Sequence, residues 1–174
     1  NALDFGAYGV IVPLVNCRED AEKAVRWSRY APKGTRSWAQ RATLGDPDYA
    51  STANVELMVI PQIETDTSLH NLEEIVCTDG IEAIFCGPYD LSMSLGIFRQ
   101  FDNPKFMKAL SSIVSTCQAH DVFPGILAPV GSVENNLRLG FKLISLGGDL
   151  PTLRDGISKA LEEARNASEK TRST

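Results

Sequence analysis

Two acidic residues sit just past the ends of short apolar runs: Glu64 in Val59-Ile60-Pro61-Gln62-Ile63-Glu64-Thr65, and Asp90 in Ile84-Phe85-Cys86-Gly87-Pro88-Tyr89-Asp90-Leu91-Ser92. If the two runs are neighbouring parallel strands, their carboxyl ends aim both carboxylates at one point. Two hard oxygen donors with positions left open for water or ligand suit magnesium or manganese, with cobalt also admitted. A zinc cage would carry more nitrogen or sulfur. A dication between two carboxylates is neutral overall, so an organic acid can approach it, and the metal can act as a Lewis acid. Gly87-Pro88 turns the chain into a helix start, for which Asp90 or Ser92 is the expected cap; free N–H groups at such a start favour an anion.

Positioning these residues requires strands of a parallel kind. Short apolar runs rich in β-branched residues alternate with segments of helical period, the pattern of repeated βα units. The expected strands are Gly9 to Val15, Leu57 to Ile63, Ala83 to Cys86, Val122 to Leu127 and Lys142 to Leu146, each continuous enough to be buried on both faces. The expected helices are Glu19 to Tyr30, Ser68 to Val76, Pro104 to Gln118, Val133 to Leu139 and Leu153 to Ala164. Lys33 to Ala53 has no clear apolar period and reads as a long loop over a strand end. Asn166 to Thr174 is polar and is expected to fray as a flexible tail. The opening Asn1-Ala2-Leu3-Asp4-Phe5-Gly6 looks like the last turn of a helix stopped by glycine, so more chain is expected before it. Five βα units cannot close an eight-stranded barrel, which leaves a fragment of one or an open sheet with exposed edges.

Composition narrows the class. The 174 residues are 43% hydrophobic and 22% charged, one globular domain by size. A net charge of -5 with scattered lysines and arginines gives no electrostatic reason for nucleic acid or an acidic membrane as partner. No run reaches the roughly 18 apolar residues that span a bilayer, so a soluble, cytoplasmic protein is expected. Cys17, Cys77, Cys86 and Cys117 form no CxxC and read as buried free thiols.

A specific resemblance emerges from Gly6-Ala7-Tyr8-Gly9-Val10-Ile11-Val12-Pro13, Gln62-Ile63-Glu64-Thr65 and Gly87-Pro88-Tyr89-Asp90-Leu91-Ser92, in this order and spacing. Together they resemble the metal-dependent 4-hydroxy-2-oxo acid aldolases of the HpcH/HpaI aldolase and citrate lyase family, with Pro124-Gly125-Ile126-Leu127 and Leu146-Gly147-Gly148-Asp149 falling where that family has its last two strands. The resemblance implies an α/β fold, a TIM (β/α)8 barrel of which this chain holds the last five βα units, with residues 1–165 as the carboxyl-terminal part of one domain. It implies a metal on Glu64 and Asp90, Gln62 close to a bound 2-oxo acid, and peptide N–H groups at Tyr89 and Asp90 holding the substrate carboxylate. The implied reaction is reversible retro-aldol cleavage of a 4-hydroxy-2-oxo acid to pyruvate and an aldehyde through a metal-bound enolate, in a homo-oligomer.

One departure bears on catalysis. Family members carry a catalytic histidine and an enolate-stabilising arginine upstream of the Gly-Ala-x-Gly strand, and neither lies in this chain. Asp4 matches the aspartate that orients the histidine. His70 and His120 read as ordinary surface or packing residues. Arg36, in a segment resembling the family's Gly-x-Arg, is either over the substrate or a solvated loop residue. Two other readings stay open: a non-catalytic truncated barrel that retains the metal site, and carbon–carbon cleavage of the citrate lyase or malyl-CoA lyase type.

Overall fold

The computed structural model describes residues 2–39, 47–128 and 131–172. A single turn at Leu3–Phe5 ends at Gly6, whose φ of 94° closes the turn with its N–H on Leu3 O. Five strands follow: β1 (Gly9–Val12), β2 (Met58–Ile63), β3 (Ala83–Cys86), β4 (Phe123–Leu127) and β5 (Leu143–Ser145). All pair in parallel in chain order, β1-β2-β3-β4-β5, making a five-stranded α/β half-barrel. Every connection carries helix: α1 (Arg18–Ser28) and α2 (Tyr49–Glu56), α3 (Asp66–His70) and α4 (Leu72–Val76), α5 (Pro88–Ser94) and α6 (Pro104–Ala119), then α7 (Val133–Leu139); α8 (Asp149–Arg172) follows β5.

Successive strand residues face opposite sides. On the convex side Val59, Ile63, Ile84, Cys86 and Ile126 pack against Ala21 and Ala24 of α1, Leu72 and Ile75 of α4, and Phe106, Leu110 and Ile113 of α6 in one cluster. On the concave side Ile60, Ala83 and Phe85 form a smaller cluster with Met58 and Leu127. The expected burial of every strand on both faces holds for β2 and β3 only. Ile11, Phe123 and Leu143, in register with concave-face residues, stay exposed. Among the described residues β1 and β5 each have a strand neighbour on one side only.

Several helices differ from expectation. The segment Lys33 to Ala53 ends in α2, a helix without an apolar stripe in which only Tyr49 and Ala53 are buried; residues 40–46 of that segment lie outside the described residues. The single helix expected over Ser68 to Val76 breaks at Asn71, whose Nδ2 donates to Asn16 O at 2.8 Å. Neither Asp90 nor Ser92 caps α5: its N-cap is Gly87 with Pro88 at the first helical position, and Ser92 Oγ donates to Tyr89 O instead. Helix α8 runs beyond its expected end through most of the tail, residues 173–174 lying outside the described residues, and it is exposed from 149 to 171. Among the cysteines, Cys86 and Cys117 are buried as expected, whereas Cys77 is exposed and Cys17 half-buried.

Ile84 is wholly enclosed between β3 and the helical layer. Ile84→Ala is expected to cost about 3 kcal/mol through lost burial plus an unfilled cavity. Urea unfolding of the full chain checks this: a lower midpoint at unchanged slope is expected, and a cost below about 0.5 kcal/mol would show that this layer is not the core.

Candidate active site

Glu64 follows β2 directly and shares the concave parity of Ile60 and Gln62. It is 4% exposed. Its Oε1 accepts the Leu14 N–H at 2.8 Å, and Oε2 accepts from Gln62 Nε2. The chain beyond is fixed by a reciprocal cap: Ser68 N–H donates to Thr65 Oγ1 at 2.9 Å while Thr65 N–H and Glu64 N–H donate to Ser68 Oγ at 3.0 and 3.2 Å. Leu14 reaches Glu64 from a left-handed backbone, φ 55°, a conformation costly for a residue with a branched side chain. Its exposed side chain sits beyond the carboxyl end of β1.

The end of β3 closes on the same spot. Gly87 N–H donates to Ile63 O at 3.1 Å, extending the β2–β3 ladder one residue past the strands. A Cβ at Gly87 would lie 2.6 Å from Gln62 Nε2 and 2.9 Å from Glu64 Oε2, so only glycine leaves room for that pair. Three residues on, Asp90 stands exposed in the first turn of α5, and its side chain makes no hydrogen bond or ion pair among the described residues. Tyr89 is half-buried, its ring edge-on to Phe101 at 5.4 Å with the Arg99 guanidinium 5.9 Å from its centroid. Burial, with the negative charge of Glu64 adding to it, pushes the Cys86 thiol up, so the sulfur beneath the carboxylate stays protonated.

The chemistry of this donor set fits a hard dication. A buried carboxylate is normally paired or bound to metal, and Glu64 has no lysine, arginine or histidine partner among the described residues. Nor is there a cluster of three or more histidine, cysteine or acidic residues among the described residues that could cage a metal. Magnesium does not need one, because it is commonly held by one or two carboxylates with water and ligand completing the shell.

Asp4 has a partner that sequence reading did not assign. Arg36 Nη2 donates to Asp4 Oδ1 at 2.6 Å and Nη1 donates to Tyr49 OH at 2.9 Å, with the guanidinium 4.5 Å from the Tyr30 ring centroid. Arg36 is therefore not a solvated loop residue; its side chain is 7% exposed. The Arg36 hydrogen bond holds the Asp4 carboxyl below the usual carboxylate range. Neighbouring Leu3 packs with Tyr30, Tyr49, Ala53 and Leu57, a cluster separate from the one beneath Glu64.

The family model of the HpcH/HpaI aldolase/citrate lyase group matches residues 1–156. The chain belongs to that family. It is 35% identical over 162 residues to a 5-keto-4-deoxy-D-glucarate aldolase of Escherichia coli O139:H28 (strain E24377A / ETEC), covering 90% of this chain and 63% of that protein. The chain thus spans less than two thirds of that relative. Its fold superposes on an HpcH/HpaI aldolase/citrate lyase family protein from Burkholderia cenocepacia J2315 with a TM-score of 0.83 at 31% identity, covering 94% of this chain and 67% of that one. The citrate synthase SbnG gives 0.80 at 30% identity, covering 97% and 67%.

Within this HpcH/HpaI family member, Glu64, Gln62 and Gly87 are brought together by direct contact, and Asp90 is placed by the following helical turn. The anchoring N–H of Leu14 was missed, since nothing in Pro13-Leu14-Val15 signals a left-handed leucine. Gly87 was legible as a turn, although its steric role was not.

Gly87→Ala is expected to push Gln62 and Glu64 apart and weaken manganese binding about tenfold, measured by isothermal titration with circular dichroism unchanged; unaltered affinity would remove the packing constraint. The Asp4–Arg36 pair carries a sign. Because the folded carboxyl titrates below its unfolded value of about 3.9, its stabilisation is complete above that pH and is lost as pH falls through the folded value. Asp4→Asn should therefore lower stability at neutral pH by about 2 kcal/mol and flatten the acid limb of a melting-temperature profile. A parallel profile would show that the pair contributes nothing.

Proposed function

We propose that this chain is the carboxyl-terminal, five-unit part of a (β/α)8 barrel in a divalent-metal-dependent aldolase that cleaves a 4-hydroxy-2-oxo acid reversibly to pyruvate and an aldehyde. The observation that carries the reading is the buried Glu64 carboxylate, without a basic partner among the described residues, one strand end away from the exposed Asp90. Glu64 and Asp90 would hold magnesium or manganese, with cobalt as a functional substitute. When bound, the metal supplies Lewis-acid stabilisation of the charge that develops as the carbon–carbon bond breaks.

The chain's own residues bind and orient. Gln62 fixes Glu64 Oε2 through its amide and borders the space for the 2-oxo acid. The peptide N–H groups of Tyr89 and Asp90, unpaired by geometry in a helical first turn, would receive the substrate carboxylate. Asp4 would orient a general base carried elsewhere in the longer protein, along with an arginine for the developing enolate charge, both outside these 174 residues. A homo-oligomer is part of the reading, and the stripe of Leu150, Leu153, Ile157 and Leu161 exposed on α8 is an apolar face available to such a contact. No described helix is long and apolar enough to cross a membrane, and we place the protein in the cytoplasm.

A second reading, carbon–carbon chemistry on citrate-type acids, is favoured by the likeness to the citrate synthase SbnG; the higher identity to a 5-keto-4-deoxy-D-glucarate aldolase ranks it second. The full-length protein assayed with magnesium, manganese and cobalt separately should release pyruvate from at least one member of a 4-hydroxy-2-oxo acid panel. Glu64→Gln and Asp90→Asn should each lower that rate more than about 100-fold at limiting metal. Substantial activity in both variants would overturn the site, and turnover of citrate alone would favour the second reading.

A further inference from the structure

Away from the strand ends, helices α4 and α6 bring three reactive side chains together. Cys77, at the end of α4, places Sγ 3.3 Å from His120 Nδ1 and 3.8 Å from Nε2. His120 follows α6, and its Nε2 lies 3.5 Å from Glu73 Oε1. The arrangement is a thiol, an imidazole and a carboxylate in sequence. Glu73 favours the tautomer with the proton on Nε2, which leaves Nδ1 to take the thiol proton. The imidazolium so formed sits at the carboxyl end of a 16-residue helix, whose dipole stabilises a cation. Cys77 is exposed and opens onto a surface depression of about 400 Å³ that it lines with Arg18, His70, Asn71, Glu73 and Glu74. A cation and two carboxylates around one thiol complement a ligand bearing both carboxylate and ammonium groups.

We propose that Cys77 is a covalent modification site that forms a mixed disulfide with a small zwitterionic disulfide, His120 acting as its base and Glu73 as the residue that positions His120. The thiolate attacks one sulfur of the co-reactant; a Cys77 Sγ–S bond forms as the co-reactant's S–S bond breaks. The departing thiolate takes the proton from His120 and leaves as a thiol, so the Cys77 sulfur is oxidised and half of the co-reactant is reduced. The other thiols are poorer candidates. Burial pushes Cys117 up to about 12 and Cys86 upward as well. Cys17 is half-buried, and its thiol is engaged as a donor to the Asp20 carboxylate.

The test uses the full chain incubated with oxidised glutathione at neutral pH, followed by intact mass and peptide mapping. One adduct per chain is expected, on Cys77, and Cys77→Ser should form none. His120→Gln should slow the adduct about tenfold while leaving the circular dichroism spectrum and melting temperature unchanged, which separates loss of the base from loss of fold. Glu73→Gln, a surface change, should slow it in the same direction by a smaller factor. Modification of Cys17 as fast as Cys77, or unchanged Cys77 rates in both the His120 and Glu73 variants, would overturn the proposal.

Discussion

The structure is organised around one electrostatic constraint, a carboxylate at the end of β2 that is removed from water without a basic side chain beside it among the described residues. Such a group costs several kcal/mol unless hydrogen bonds and a counter-charge replace its hydration. Two of its contacts come from the fold itself, the Leu14 N–H from the end of β1 and the Gln62 amide from its own strand. Both are directional donors, one at the end of β1 and one within β2. Neither carries a charge to balance that of the carboxylate.

The elements around Glu64 make sense as the means of holding it still. The Thr65–Ser68 cap prevents the chain from swinging as it leaves β2, and Thr65 Oγ1 ties the turn to Asn16 beyond β1. Gly87 lets β3 pass against the carboxylate with no side chain between them. Leu14 accepts an unfavourable backbone conformation to aim its N–H. Strain at one residue and the loss of a side chain at another are tolerated because the convex-face core over-determines the strands on which both depend.

A second ionic centre does different work. Asp4 and Arg36, boxed by Tyr30 and Tyr49, clasp the opening turn to the segment after α1. In the proposed aldolase this clasp would set where Asp4 can point, which links the stiffness of the edge at β1 to the positioning of a base. Relatives of similar identity carry names as different as aldolase and citrate synthase. A barrel that carries its chemistry on strand-end loops can serve different reactions on one scaffold.

The local signals in the sequence were strong where one residue type has one use. Gly6, Pro88 and the β-branched runs placed turns, a helix start and all five strands, and the period of α6 and α7 placed those helices within a residue. The spacing of Glu64 and Asp90 placed both at adjacent strand ends, because alternation along a strand and pairing between neighbours follow from backbone geometry alone. Tertiary structure decided the rest. Helix α2 has no apolar stripe to read, since it buries only Tyr49 and Ala53. The break at Asn71 depends on a carbonyl 55 residues away, and edge exposure at Ile11 and Leu143 depends on what neighbours a strand has. Arg36, readable from the sequence either as a residue over the substrate or as a solvated loop cation, is the partner of Asp4, 32 residues earlier in the chain. The contacts from Leu14 to Glu64 and from Cys77 to His120 likewise join residues 50 and 43 apart. Periodicity and turn chemistry act over a few residues and are written in order along the chain, whereas these contacts exist only after the layers have packed.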